Sequence, residues 1–157
     1  MDDLKVSSSD CGYALIDKGG FQPLVPEGKY SVAYIEHQTG MFFGSPKVVF
    51  RFRVLNFGEH NGVVLERFYG VKKIVGKPGK WGNFKPPLHG DFLMEFVDCF
   101  HLDPKRLDRI PLSHFERNIL LAEVKTVYTN SKQSQRPKQL RYSKVARLVK
   151  IDHEFSG

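Results

Sequence analysis

Residues 47–56 read KVVFRFRVLN, a stretch in which Phe50 and Phe52 alternate with Arg51 and Arg53. Apolar and polar residues that alternate with period two are typical of a β-strand with one face in a core and the other in solvent. We therefore expect both phenylalanines to fill the core of a β-sheet. Both arginines should then be displayed on its outer face, either as part of a binding surface or as an ordinary solvated strand face.

Four further segments have the alternation or the composition of strands, and polar turns such as GEHNG at 58–62 separate them. Their expected bounds are 28–37, 63–74, 118–129 and 140–151. Segment 37–46, HQTGMFFGSP, is expected to be a loop because it contains two glycines and a proline. Gly70 is expected to mark a β-bulge in the third strand.

Helical periodicity replaces the alternation after residue 87. The apolar residues that fall on one helical stripe are Leu88, Phe92, Leu93, Phe96, Val97 and Phe100. They predict an amphipathic helix over residues 90–101, with Asp91, Glu95 and Asp98 on its solvated face. A second, short helix is expected to begin at Ser113, with Glu116 completing a capping box.

The order strand, strand, strand, helix, strand, strand predicts a mainly β fold. It is the order of an OB-fold barrel, which binds oligonucleotides over its second and third strands and adjoining loops. We therefore expect a five-stranded OB-fold-like barrel with one helix between strands 3 and 4; another five-stranded barrel or a small sandwich is the alternative. The domain would span residues 27–152, after a partly ordered arm (1–26) and before a short tail (153–157).

Charge is distributed unevenly along the 157 residues, whose formal net charge is +7. Residues 1–28 carry five acidic residues against two lysines, whereas residues 67–85 and 124–151 carry six and eight basic residues and no acid. Segregation of this kind is typical of a protein that binds a polyanion. No apolar run reaches the length of a membrane span, and Cys11 and Cys99 form no disulfide framework. A cytoplasmic protein with a buried Cys99 thiol is therefore expected.

Several phrases of the sequence resemble one known family. They are PEGKY (26–30), FGSPKVVFRFRV (43–54), ERFYGVKKI (66–74), RLDRIPLSHF (106–115) and YSKVARLVKI (142–151). Together they are similar to small phage- and plasmid-encoded proteins regarded as OB-fold single-stranded-DNA-binding proteins. The resemblance implies a role in replication, recombination or transfer of a mobile element, with replication or recombination proteins as further partners.

Exposed rings and cations together form the surface on which a single strand stacks and is neutralised. Segment 76–87, GKPGKWGNFKPP, offers Trp81 and Phe84 between lysines, and it is expected to lack regular structure. The expected binding residues are Phe42 and Phe43 of the first loop, Arg51 and Arg53 of strand two, Arg67, Tyr69, Lys72 and Lys73 of strand three, and Lys77, Lys80, Trp81, Phe84 and Lys85 of this segment. A basic loop and the following strand would add Lys132, Arg136, Lys138, Tyr142 and Lys144. For each aromatic residue the competing interpretation is simple core packing.

No pattern in the sequence predicts an enzyme, a metal site or a cofactor. The six histidines are scattered, and GKPGKWG lacks the spacing of a phosphate-binding loop. We therefore expect a non-enzymatic protein that binds single-stranded DNA without strong sequence preference, with RNA as an alternative ligand. A homodimer formed through exposed strand edges is a further expectation. The competing hypothesis is an OB-like adaptor or inhibitor that binds a protein partner.

Overall fold

The computed structural model describes residues 23–107, 109–128 and 141–154, with the side chains of the last two left aside. The strands are β1 (Gly28–Phe42), β2 (Ser45–Val54), β3 (Val64–Gly70), β4 (Lys73–Val75), β5 (Gly79–Lys80), β6 (Asn83–Lys85), β7 (Asn118–Val127) and β8 (Tyr142–Glu154). The helices are α1 (Asp91–Phe100) and α2 (Ser113–Arg117). The expected mainly β class is confirmed.

Most strands belong to one antiparallel sheet of six strands. Its order is β3-β2-β1-β7-β8, and β5 joins it by pairing with β1. β4 and β6 pair separately as a two-stranded ribbon. The end strands β3 and β8 approach each other, and in the described part of the chain no hydrogen-bonded ladder joins them. Closure of the sheet into a barrel therefore stays a prediction.

β1 organises the sheet because it pairs with three strands. Its residues 28–33 lie against β7, and further along Gln38 and Thr39 lie against β5. The other edge of β1 follows β2, with a register shift between Tyr34 and Glu36. A bulge bends a strand and increases its twist. Here it lets one long strand run past β7 and support the short β5 turn.

β2 contributes four residues to the core, as its alternation predicts, and both helices and the other long strands complete it. Val48, Phe50, Phe52 and Val54 are fully buried. The ring of Phe50 lies 5.0 Å from that of Phe115 on α2, measured between centroids. Burying a large aromatic side chain removes so much apolar area from water that its loss typically costs about 3–5 kcal/mol.

β8 does not follow the simple alternation expected of it. Val145 and Leu148, three residues apart, are both buried. The β7–β8 ladder shifts register at three places, the last between Glu123 and Val124. Each shift inserts an extra residue and moves the following side chains to the other face. A bulged strand therefore buries residues that a regular strand would place on opposite faces.

Glu95 of α1 joins the two ends of the sheet, which contradicts its expected place on a solvated helix face. Its side chain is buried, and its carboxylate accepts hydrogen bonds from the Tyr69 hydroxyl (2.7 Å) and the Leu148 backbone N–H (2.9 Å). It also pairs with the Arg67 guanidinium. A buried charge needs such partners to offset its lost hydration. Glu95 thereby bridges β3 and β8.

Two segments expected to be irregular contain strands. The expected loop at 37–46 is wrong, because β1 continues to Phe42 and β2 begins after the two-residue turn Phe43–Gly44. Segment 76–87 is likewise more regular than expected, since it contains β5 and β6. In both places backbone hydrogen bonds to a neighbouring strand override local glycine and proline content.

The helices differ from their predictions in detail. α1 confirms the expected helix over 90–101, but Leu88 and Val97 of the predicted apolar stripe are exposed. α2 begins at Ser113, yet Leu112 occupies its N-cap without a side-chain hydrogen bond, so the expected capping box is wrong. Cys99 is buried as expected, and this burial raises the pKa of its thiol to about 12. Among the described helices, none has the length and apolar character needed to cross a membrane.

Candidate nucleic-acid interface

Residues 72–85 form a short ribbon in which two lysines face each other. β4 pairs with β6 so that Lys73 lies opposite Lys85 and Ile74 lies opposite Phe84. Directly opposed residues share a face, and successive residues alternate between faces. Because Phe84 packs in the core, the two lysines project from the other face. We call the side chains of Lys72, Lys73, Lys77, Lys80 and Lys85 the lysine ribbon.

The lysine ribbon is a concentration of uncompensated charge. Within the described ranges, neither Lys73 nor Lys85 has an ion-pair partner, and Lys72, Lys73 and Lys77 are exposed. Lys80 alone pairs with an acid, its Nζ lying 3.1 Å from Glu36 Oε1. Like charges directly opposite each other on a strand pair are destabilising. An anion bound between them would remove that cost.

Trp81 occupies the tip of a tight turn within this ribbon. The Gly82 N–H donates to the Gly79 carbonyl (3.1 Å), and Trp81 has a φ of 64°. That left-handed conformation is unfavourable for a bulky residue, and strain of this kind concentrates at functional sites. The Trp81 side chain is 51% exposed, and Lys80 Nζ lies 6.0 Å from its ring centroid. The turn therefore presents a ring beside a cation.

His37 anchors this turn to β1. Its Nε2 lies 3.0 Å from the Gly82 carbonyl and its Nδ1 lies 2.6 Å from the Tyr34 hydroxyl. Burial lowers the pKa of His37, so the neutral imidazole is favoured. Since a carbonyl can only accept, Nε2 carries the proton and Nδ1 accepts from the Tyr34 hydroxyl. The backbone N–H of Trp81 also donates to the His37 carbonyl (2.8 Å). His37 therefore holds the turn at two points.

Gly82 is required where the turn approaches β1. A Cβ atom built on Gly82 would lie 2.1 Å from Thr39 Oγ1, far inside contact distance. The Gly79 N–H donates to the same hydroxyl (3.2 Å), so Thr39 is held in place. The glycine therefore allows the turn to sit close against β1.

Phe43 is a second exposed ring in a left-handed turn. Phe43 (φ 55°) and Gly44 (φ 83°) connect β1 to β2 as a two-residue hairpin turn, a position that favours Asn-Gly. The Phe43 side chain is 68% exposed, and its ring centroid lies 5.3 Å from that of Phe68. Sequence reasoning missed Phe68, although the β2–β3 pairing that opposes it to Val49 puts it on the outer face.

Arg51 is not displayed, which contradicts the expectation for strand two. It is 2% exposed, with Nη1 2.8 Å from Glu36 Oε2 and Nε 3.1 Å from Glu66 Oε2. Both acids come from neighbouring strands at positions that the registers set opposite Arg51. Its charge is thus satisfied inside the protein. Of the two arginines, only Arg53 is exposed as predicted.

Burial and the ion pairs shift the pKa values of Glu36 and Glu66 in opposite directions. Burial raises the pKa of Glu66 to about 7, although Arg51 acts in the opposite direction. Burial also opposes ionisation of Glu36, but Lys80 and Arg51 outweigh it and lower the pKa of that carboxyl. Charge on this part of the outer sheet face is therefore internally balanced, unlike that of the lysine ribbon.

Four more predicted binding residues are buried or ion-paired inside the protein. Tyr69 and Phe84 are core residues, and Phe42 is also buried. Arg67 stacks over the Tyr69 ring at 4.4 Å and pairs with Glu95. The prediction that Arg67 and Tyr69 lie on the outer face of strand three is wrong. Arg67 lies opposite the buried Phe50, so its side chain points inward. None of these four side chains is available as an open stacking surface.

A separate basic area lies at the end of the β7–β8 hairpin nearest the segment that connects the two strands. Lys125 and Lys144 are exposed and directly opposed, and Tyr142 is half-buried nearby. Sequence reasoning included Lys144 but not Lys125, whose role depends on the register of the hairpin. The predicted residues Lys132, Arg136 and Lys138 lie outside the described residues.

The structure brings together only some of the predicted site. Trp81 and Lys80 lie at the Gln38–Thr39 end of the pairing along β1, and Lys73 and Lys85 face each other on the β4–β6 ribbon. The Lys125–Lys144 pair lies near Gly28, where β7 begins its pairing with β1. Ten residues of strand separate these points, or roughly 30 Å along β1. Among the described residues, the expected single groove is therefore replaced by two separate basic areas.

Across the described ranges, no group of His, Cys, Asp or Glu side chains is arranged to hold a metal ion. No protein-family model matches the chain, and neither a curated protein nor a solved structure matches it significantly.

Proposed function

We propose that this protein binds single-stranded DNA, without strong sequence preference, through Trp81 and the lysine ribbon. One observation carries the proposal: a half-exposed tryptophan is held in a strained turn beside Lys80, and nearby in the chain Lys73, Lys77 and Lys85 lack acidic partners within the described ranges. A base stacked on an aromatic side chain contributes about 1–3 kcal/mol, and every base has a face that can stack. Phosphates would neutralise the opposed Lys73 and Lys85.

We infer that the sheet is a partly open OB-like barrel. The succession β1, β2, β3, α1, β7, β8 and the pairing of β1 with β7 support this inference. Glu95 supports it too, because it links β3 and β8, the strands that would meet on closure. Such barrels carry nucleic-acid ligands on strand faces and loops.

The proposed action is passive rather than catalytic. Binding lowers the free energy of the unstacked strand and so opposes reannealing and nuclease attack. A role in replication, recombination or transfer of a phage or plasmid rests on the family resemblance alone. RNA is the competing ligand, since stacking and phosphate contacts serve both nucleic acids.

The intrinsic fluorescence of Trp81, the sole tryptophan, tests the proposal directly. An oligo-dT strand should quench it, duplex of equal length should not, and added salt should reverse the quenching. With labelled oligo-dT, Trp81→Ala should weaken binding by about 1–3 kcal/mol, or roughly 5- to 150-fold. Oligo-U in parallel separates the two ligands, and tighter binding of oligo-U would transfer the proposal to RNA.

Phe57→Ala is the matched control, because Phe57 is a fully exposed ring in the β2–β3 connection. It should leave the affinity for oligo-dT unchanged. Equal losses in the Trp81 and Phe57 variants, or no quenching by any single strand, would contradict the proposed stacking role.

A second candidate function is binding of a protein partner. Leu88, Met94 and Leu102 are exposed around α1, and Leu88 and Met94 line a cavity of about 430 Å³. Exposed apolar clusters of this kind mark interaction surfaces. A partner captured from lysate after nuclease treatment at high salt, and lost with Met94→Asp, would favour this function.

A further inference from the structure

A cavity of about 450 Å³ lies between the β4–β6 ribbon and the segment before α2. Its lining residues are Val75, Asn83, Phe84, Arg109, Ile110 and Leu112. Its volume is within the range of roughly 300–1,000 Å³ typical of small-molecule sites. A single nucleotide is therefore compatible with its size.

The cavity combines apolar walls with two uncommitted polar groups. Val75, Ile110 and Leu112 are partly exposed apolar residues, and Phe84 contributes the buried aromatic wall. Asn83 and Arg109 are exposed, and in the described part of the structure neither side chain has a hydrogen-bond or ion-pair partner. Apolar walls with a few polar groups that fix orientation are typical of ligand sites.

The cavity lies close in the chain to the proposed binding surface. Val75 lies opposite Asn83, two positions along the ribbon from Lys73 and Lys85, and Phe84 between Asn83 and Lys85 also lines the cavity. Trp81 is two residues from Asn83, at the turn that leads into β6. A strand neutralised by the lysines and stacked on Trp81 would therefore have a neighbouring base beside the cavity.

We infer that this cavity binds one unstacked nucleobase. The apolar walls enclose the base, the Asn83 amide hydrogen-bonds to its edge, and the Arg109 guanidinium contacts the adjoining phosphate. An amide side chain suits this role because it both donates and accepts. The inference rests on the proposed function, to which it adds a site for the base.

Mononucleotides test this site independently of strand binding. In the full-length protein labelled with nitrogen-15, deoxynucleoside monophosphates should shift the amide resonances of Asn83, Ile110 and Leu112, with a Kd on the order of 1 mM. Deoxyribose 5-phosphate, which lacks the base, should not. Asn83→Ala should weaken nucleotide binding about tenfold, since its amide hydrogen bonds are lost.

Lys29→Ala is the control, because Lys29 is an exposed lysine of β1 that belongs neither to the lysine ribbon nor to the cavity lining; it should leave the mononucleotide Kd unchanged. Equal shifts with deoxyribose 5-phosphate would reduce the cavity to a phosphate site and overturn the inference, as would the absence of shifts with any nucleotide. Quenching of Trp81 by oligo-dT without these shifts would leave the proposed function standing and remove only the base site. Nucleotide-induced shifts without any binding of oligo-dT would leave the base site standing and contradict the proposed function.

Discussion

Replacing Lys73 and Lys85 together by alanine should stabilise the free protein and weaken its binding to single-stranded DNA. The two lysines are directly opposed in the β4–β6 pairing, and neither has an acidic partner in the described ranges. Directly opposed like charges cost about 0.2–1 kcal/mol. For a chain of this length, 1 kcal/mol corresponds to about 2–4 °C in Tm, so Tm should rise by up to about 4 °C.

Binding should change in the opposite direction. A lysine in contact with a phosphate gains about 1 kcal/mol at the dielectric constant of water. Loss of two contacts should therefore cost about 2 kcal/mol, or roughly 30-fold in Kd at low salt. Each contact with a single strand contributes a slope of about −0.7 to the dependence of log K on log salt concentration. The slope should become shallower by about 1.4.

Thermal unfolding without DNA and fluorescence anisotropy with labelled oligo-dT at several salt concentrations measure both effects. Lys29→Ala/Lys150→Ala is the matched control: both residues are exposed, the charge lost is the same, and Lys29 lies opposite Glu123. The control should not gain stability and should retain most of its affinity. If both double variants lose affinity equally, net charge alone is responsible and the assignment of the lysine ribbon is refuted.

Three further predictions concern the framework around the site. Gly82→Ala should destabilise the protein by about 1–3 kcal/mol, because the new methyl group collides with Thr39, and the tryptophan emission should shift to the red. Glu95→Ala should cost about 3–5 kcal/mol in urea unfolding, because the largely buried Arg67 loses its buried partner and is left with the exposed Asp91 at 3.7 Å. Burial raises the pKa of Glu66 above its ordinary 4.5 to about 7, so the stability that this carboxyl contributes is full below pH 4.5 and is lost as pH rises through 7. Glu66→Gln should therefore reduce the fall in unfolding free energy between pH 5 and pH 8, and an unchanged fall would contradict the assignment.

Sequence periodicity predicts the interior of this protein better than its connections. The alternation around Phe50 and the helical stripe through Phe96 each gather apolar side chains on one face, and that face is buried in the structure. The Phe43–Gly44 turn escapes prediction because a phenylalanine occupies a left-handed position where asparagine is the usual signal. β5 escapes it because two residues acquire strand structure only by pairing with β1.

The site is less predictable because alternation identifies two faces without identifying what covers them. Arg51 appears displayed in the sequence, but the registers on both sides set Glu36 and Glu66 opposite it. For the third strand, a shift of one position exchanges Arg67 and Phe68 between faces. The exposure of Trp81 was predictable because a glycine-rich turn leaves a large ring little room for complete burial. Its lysine neighbours were predictable because they are close to it in the sequence.

The link that Glu95 makes between the sheet's end strands has a mechanical consequence. A ladder of backbone hydrogen bonds resists separation along its whole length, whereas in the described part of the chain side-chain packing and the hydrogen bonds of Glu95 hold this junction. Widening along this seam between β3 and β8 would therefore break none of the ladders in the described residues. Amides beside that seam should exchange with solvent sooner than those of β1, which has a paired neighbour on each side.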